Sequence, residues 1–244
     1  MRLVVTRPEP DGSRTAHTLI ALGHEVVRSP ALAVVPLQAP LPEDDFQAVL
    51  VTSANAVRAL AAHAELARLQ HLPLLAVGDR TAAEGHHLGF PDVRSAGGDV
   101  NALATLARET LKPEDGPVLY LAANSRAGAL EDKLAAAGFD VVLREIYRSE
   151  PVTELKSRAR DMLASGEEAG ILIYSQQSAA TFARTLEDAG LTPLRENIIC
   201  FCLSDQAAAP LRPIARGPVL VSDRPDQASL FDMIARYRGP SCTG

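Results

Sequence analysis

Three stretches in the second half of the chain lie over three stretches of the first, in the same order. Leu22-Gly23-His24-Glu25-Val26-Val27 lies over Ala137-Gly138-Phe139-Asp140-Val141-Val142, and Val49-Leu50-Val51-Thr52-Ser53 over Ile171-Leu172-Ile173-Tyr174-Ser175. Val77-Gly78-Asp79-Arg80-Thr81-Ala82 then lies over Leu203-Ser204-Asp205-Gln206-Ala207-Ala208. Chance similarity between α/β units explains one such match better than three in order. The chain is therefore read as two copies of one design. In each copy a short apolar run ends in small polar residues and a helical pattern follows, which is how a buried parallel strand hands over to a helix. Leu74 to Ala83 is the clearest case, with Thr81 read as opening the helix.

The same alternation runs along the rest of the chain. Strands are predicted at Leu3–Thr6, His24–Val27, Phe46–Thr52, Leu74–Val77, Val93–Ala96, Val118–Ala122, Val141–Tyr147, Ile171–Tyr174, Ile198–Leu203 and Val219–Ser222, with helical spacing between most of them. Strands alternating with helices mean parallel sheets covered on both faces, so the fold class is α/β. Each half holds about five strands, enough for a flavodoxin-like sheet of order 2-1-3-4-5. Two arrangements satisfy the repeat: sequential halves, or one domain inserted into the other. The proline-rich segment at 30 to 42 and the stretch from Arg148 to Thr153 look like paired linkers. They favour the discontinuous form, with residues 1–36 and 149–244 in one domain and 37–148 inserted as the second, across a two-stranded linker.

Bulk composition narrows the function. With 47% hydrophobic and 22% charged residues the 244-residue chain is an ordinary globular one, without an apolar run of membrane-spanning length. Its first residues form a strand and a turn rather than a signal peptide, so a cytoplasmic location is expected. A net charge of −6 argues against nucleic-acid binding, though not against an anion held locally. Cys200 and Cys202 are two apart in a strand, point to one face, and are read as buried free thiols. No dinucleotide fingerprint, Walker loop, serine elbow or Cys-x-x-Cys pair occurs, and adjacent His86 and His87 diverge on a helix. What remains is a set of strand-exit loops rich in Ser, Thr, Asn and Gln. In a parallel sheet these exits share one edge. Two domains that turn such edges toward each other would form an anion receptor from helix N-termini without net positive charge.

Val5-Thr6-Arg7-Pro8, Leu50-Val51-Thr52-Ser53-Ala54-Asn55-Ala56-Val57, Val77-Gly78-Asp79-Arg80-Thr81-Ala82, and Ile146-Tyr147 ahead of Pro151 together resemble the uroporphyrinogen-III synthase family, over nearly the whole chain. The resemblance implies two α/β domains, one inserted into the other, and a cofactor-free, metal-free lyase of tetrapyrrole (haem) biosynthesis acting as a monomer. The implied substrate is hydroxymethylbilane, a linear tetrapyrrole with eight carboxylates. It loses its terminal hydroxyl as water and closes with ring D inverted, through a spiro intermediate. Because the pyrrole nitrogens supply the electron push, the protein has mainly to hold a flexible substrate in its folded geometry.

Carried over residue by residue, the resemblance makes Tyr147 the linker tyrosine that assists hydroxyl departure and Thr81 a hydroxyl donor to a substrate carboxylate. Tyr147 can equally serve in positioning, and Thr81 as a helix cap. Ser53, Ala54 and Asn55 would offer amides to a carboxylate, as would Ser175, Gln176 and Gln177. Arg7, Asn124 and Arg126 stand at strand exits where an anion can be met. In the second Gly-x-x-Thr-Ala copy Ser204 and Ala207 replace the family's usual Gly and Thr, and Gln206 is the residue left to substitute for the missing hydroxyl. That departure favours a competing reading, a non-catalytic two-lobed binder or sensor of small anions. A nucleotide-sugar transferase would want an Asp-x-Asp motif, which the chain lacks.

Overall fold

The computed structural model describes residues 1–123 and 130–237. The chain divides into two units, Met1–Ala33 with Glu150–Gly244, and Val34–Ser149. In chain order the first unit opens with β1 (Arg2–Val5), α1 (Asp11–Ala21) and β2 (Glu25–Arg28), and β3 (Leu32–Pro36) leads out of it. The second unit holds β4 (Ala48–Val51), α2 (Ala54–Ala61), α3 (Leu66–Leu69), β5 (Leu74–Ala76), α4 (Asp79–Leu88), β6 (Val93–Ser95), α5 (Val100–Thr110), β7 (Val118–Ala123) and α6 (Leu130–Ala135). β8 (Val141–Pro151) leads back. The first unit is completed by α7 (Ser157–Ala164), β9 (Ala169–Ile173), α8 (Gln176–Asp188), β10 (Ile198–Cys202), α9 (Asp205–Ala208), β11 (Val219–Val221) and α10 (Gln227–Arg236).

The first unit's sheet runs β2-β1-β9-β10-β11 and the second's β8-β7-β4-β5-β6, with β3 added outside β8. The pairs within each five-strand set are parallel. These orders give the repeat a physical meaning. β2 matches β8, β4 matches β9 and β5 matches β10 in sequence, and each pair occupies the same place in its sheet. Both sheets therefore have the order 2-1-3-4-5 counted along the repeat. Each takes its first two strands from one repeat and its last three from the other. Such an exchange makes the chain cross between units after the second strand of each repeat, once through β3 and once through β8. The Leu37 amide donates to the Ile146 carbonyl, and the Val152 amide to the Ala31 carbonyl. One index falls as the other rises, so the two crossing segments run antiparallel.

Burial explains why these strands form. Every residue of β4, β5, β7, β9 and β10 is buried, as strands covered on both faces require. In the second unit Val49, Val51, Leu74, Ala76, Leu119 and Leu121 pack with α2, α3 and α4, while Ala48, Leu50, Leu75, Val118 and Tyr120 pack with α5 and α6. In the first unit Val4, Ile171, Ile173, Ile198, Cys200 and Cys202 pack with α7, α8 and α9, and Leu3, Val5, Leu172, Ile199 and Phe201 with α1 and α10. Each fully buried Leu or Ile contributes about 1.5–3 kcal/mol relative to exposure. Cys200 and Cys202 share one face as free buried thiols, as their spacing predicts. Burial pushes both up to about 12, so they stay protonated and inert at neutral pH. No helix among the described residues is long and apolar enough to cross a membrane.

Candidate functional site

The strand exits of the second unit carry three of the sequence-predicted groups. After β4, Ser53 takes an extended conformation and caps α2, its hydroxyl accepting from the Asn55 amide at 3.1 Å. Ala54 is buried at the first position of α2, so only its backbone faces outward chemistry. After β5 the helix opens differently. Gly78 is the N-cap of α4 and supplies no side-chain acceptor, so the first amides of α4 keep their unused donors.

Thr81 is the third residue of α4 rather than its cap. The residue is only 6% exposed, and its hydroxyl makes no hydrogen bond among the described residues. The capping alternative for Thr81 is therefore corrected: the N-cap is Gly78, three residues before the hydroxyl that would have capped.

Tyr147 reaches the site through an irregularity in β8. Ala122 pairs with Glu145 but Ala123 pairs with Tyr147, so Ile146 is an extra residue in the ladder. In a regular strand consecutive side chains point to opposite faces. The bulge cancels that alternation, and Ile146 and Tyr147 both enter the core on the α2 and α4 face. There the Ser53 side chain faces the phenol of Tyr147 and favours its ionised form. Burial pushes the phenol above its ordinary value of 10.0, and the Ser53 contact only partly offsets that rise. Tyr147 is thus a neutral phenol at physiological pH, with its own proton still to donate.

The first unit presents a different set at its strand exits. Ser175 caps α8, accepting from the Ser178 amide at 3.1 Å, and Gln176 and Gln177 lie exposed in the first turn. Arg7, after β1, donates to Gln227 Oε1 at 2.8 Å and lies 4.5 Å over the ring of Tyr174. Sequence reasoning missed Tyr174. The signal was present in the repeat, which sets Tyr174 opposite Thr52. The degraded copy is closed. The Ser204 hydroxyl accepts from the Ala207 amide at 3.3 Å, Ala207 is fully buried, and α9 has four residues. Gln206 is exposed on that short helix and makes no side-chain hydrogen bond among the described residues. Asn124 and Arg126 lie outside the described residues. Tyr147 and Ser53 are brought together, as are Arg7 and Tyr174, next to Ser175.

Among the described residues no three His, Cys, Asp or Glu side chains converge as metal ligands do. Fold and site together define a two-domain, doubly wound α/β protein whose small polar residues and helix N-termini collect at the strand exits. The sequence profile described as uroporphyrinogen-III synthase HemD matches residues 13–232, and the chain belongs to that family. A crystal structure of uroporphyrinogen-III synthetase from Helicobacter pylori is similar in fold, with a TM-score of 0.68 at 20% identity, covering 98% of this chain and 100% of that one. A mutant uroporphyrinogen III synthase from Thermus thermophilus matches with a TM-score of 0.50 at 19% identity, covering 97% of this chain and 98% of that one. No curated protein sequence matches the chain.

Proposed function

We propose that the chain converts hydroxymethylbilane into uroporphyrinogen III, losing the terminal hydroxyl as water and inverting the last ring before closure. The observation that carries this reading is the family match across residues 13–232. The pyrrole nitrogen next to the terminal carbon pushes electrons as the hydroxyl leaves, and the departing oxygen takes a proton. Tyr147 is the group placed to give it: its phenol carries a proton at neutral pH, and Ser53 faces the oxygen on which charge would develop, against the burial that makes the phenol a weaker acid. The azafulvene left behind is attacked by the last ring at its substituted carbon, giving the spiro intermediate. Rearrangement of that intermediate closes the macrocycle with the ring inverted.

The protein's other task is to hold a polycarboxylate. The open N-terminus of α4 with the Thr81 hydroxyl, the capped N-termini of α2 and α8, and Arg7 supply receptors for single carboxylates. Such local receptors explain how a chain of net charge −6 binds a polyanion. Purified protein given freshly made hydroxymethylbilane and no cofactor is expected to yield the type III isomer. Type I product alone would end the synthase reading and leave the anion-binder reading, which the closed α9 copy favours.

Thr81→Ala is expected to lower kcat/KM by about tenfold or more, the size of a lost hydrogen bond to a charged group. Since Thr81 caps nothing, the melting temperature should fall by less than about 3 °C. Steady-state kinetics and a thermal melt on the same preparation check both halves, and a large loss of stability with unchanged kinetics would return Thr81 to the fold.

A further inference from the structure

We propose that Arg58 and Glu84 are positioning residues that set the spacing of two carboxylate-binding helix N-termini in the second unit. The inference rests on the function proposed above, and it begins with the sheet. β4 and β5 are neighbours in register, Val49 with Leu74, Leu50 with Leu75 and Val51 with Ala76, so α2 and α4 start from adjacent strand ends. Asn55 is the second residue of α2 and Thr81 the third of α4. Three residues further on, on the same helix faces, stand Arg58 and Glu84.

The Arg58 guanidinium joins all of this. Its NH1 donates to Asn55 Oδ1 at 2.9 Å and its NH2 to Glu84 Oε1 at 2.5 Å. Only 18% of the Arg58 side chain and 14% of Glu84 are exposed, so the pair is far less screened than a surface pair. One arm of the guanidinium therefore holds the first turn of α2, and the other holds α4 one turn past Thr81. A planar fork fixes both at once, which a single ammonium cannot do. α2 and α4 share one core cluster through Ala56, Val57, Ala59, Leu60 and Ala82, and apolar packing of this kind is non-directional, so the fork adds the directional tie. Neither Arg58 nor Glu84 is placed on the reacting groups. Their effect is transmitted through the backbone at the start of α2 and through Thr81.

Receptors that hold carboxylates away from the reacting ring bind substrate and transition state alike, so misplacing them raises KM more than it lowers kcat. Arg58→Lys keeps a cation for Glu84 but gives up the fork. It is expected to fold, to melt within about 3 °C of the parent, and to raise KM for hydroxymethylbilane about five- to tenfold with kcat within about twofold. Glu84→Gln, which keeps an acceptor for Arg58, should change KM in the same direction. Asn55→Ala, which retains its backbone amide, should raise KM comparably, and combining it with Arg58→Lys should add nothing further. A KM within about twofold of the parent in Arg58→Lys and Glu84→Gln overturns the proposal, as does an additive double variant. If the parent protein forms only the type I isomer, the synthase reading fails and takes this one with it. A parent that forms type III beside variants of unchanged KM defeats the positioning role alone.

Discussion

Tyr147→Phe is expected to lower kcat by about 10- to 100-fold while KM stays within about twofold. The substitution removes one oxygen and leaves the ring in its place among Val49, Val51, Leu121 and Ile146. Packing is therefore preserved, and the structural cost is limited to the contacts of a single hydroxyl, about 1 kcal/mol or less. Ser53 keeps its bond to the Asn55 amide, so the start of α2 does not fray. What is lost is the proton donor. The range sits at the low end of general acid catalysis because a phenol is a weak acid at neutral pH. Burial raises its pKa above 10.0, so the phenol carries its proton across the whole neutral range. Its contribution to stability is complete below its unfolded value near 10 and is lost as pH climbs through the higher folded value. Rate and stability should thus show no Tyr147-dependent change below about pH 9. An unchanged kcat in Tyr147→Phe removes this residue from the chemistry.

The expectation on Tyr147 shows what a sequence can and cannot carry. The residue was visible, because the Ile146-Tyr147 pair precedes the proline that ends the crossing strand. Its direction was not. Counting by twos along β8 sends Tyr147 to the face opposite Ile146, and nothing in the composition marks the extra residue that turns it back. The central strands were legible because their apolar runs are unbroken and end in small polar residues. α7 escaped notice since only Ala159, Met162 and Leu163 of its eight residues are buried, too few to set a helical period against its charges. β3 lay within a proline-rich stretch, where an edge strand and an extended linker look alike. The start of α4 was placed two residues late because glycine leaves no capping side chain to recognise. Arg58 was passed over for a similar reason: a lone arginine in an alanine-rich helix looks like a solvated one until its partners are seen.

The repeat was legible in sequence, but its consequence required the sheet orders. Three local matches in chain order are compatible with two independent domains laid end to end. The sheets instead place β2 opposite β8 and β4 opposite β9, so matched strands lie in different units. Each unit is completed by the other repeat. Neither repeat can bury its own sheet alone, since each supplies only two strands to one unit and three to the other. That dependence accounts for the paired crossings. The copy at α4 keeps an open N-terminus and a hydroxyl, and the copy at α9 has closed over Ser204 and Ala207.

Two glycines should separate stability from binding most sharply. Gly217→Ala is expected to lower the melting temperature by roughly 5–12 °C, the consequence of about 2–4 kcal/mol of overpacking. A Cβ on Gly217 would meet the carbonyl oxygen of Ile198 head-on and stand 2.7 Å from that of Glu196 and 3.2 Å from that of Arg195. All three are backbone atoms, so no rotamer relieves the clash and the entry to β10 and β11 must move. That entry is at the amino ends of the strands, the edge away from Arg7 and Ser175. Activity per folded molecule should therefore be unchanged. Gly78→Ala has the opposite expectation. Gly78 has an extended backbone that any residue adopts, and a Cβ there has only the Gly98 carbonyl oxygen, 4.0 Å away. The fold does not demand glycine, and its loss should cost less than about 1 kcal/mol. A methyl group at this N-cap does, however, stand over the unused amides of α4, where a backbone without side chains lets an anion approach. KM should rise about tenfold with little change in melting temperature. If Gly78→Ala binds substrate as the parent does, the open end of α4 is not a carboxylate receptor, and the asymmetry between the two copies loses its functional meaning.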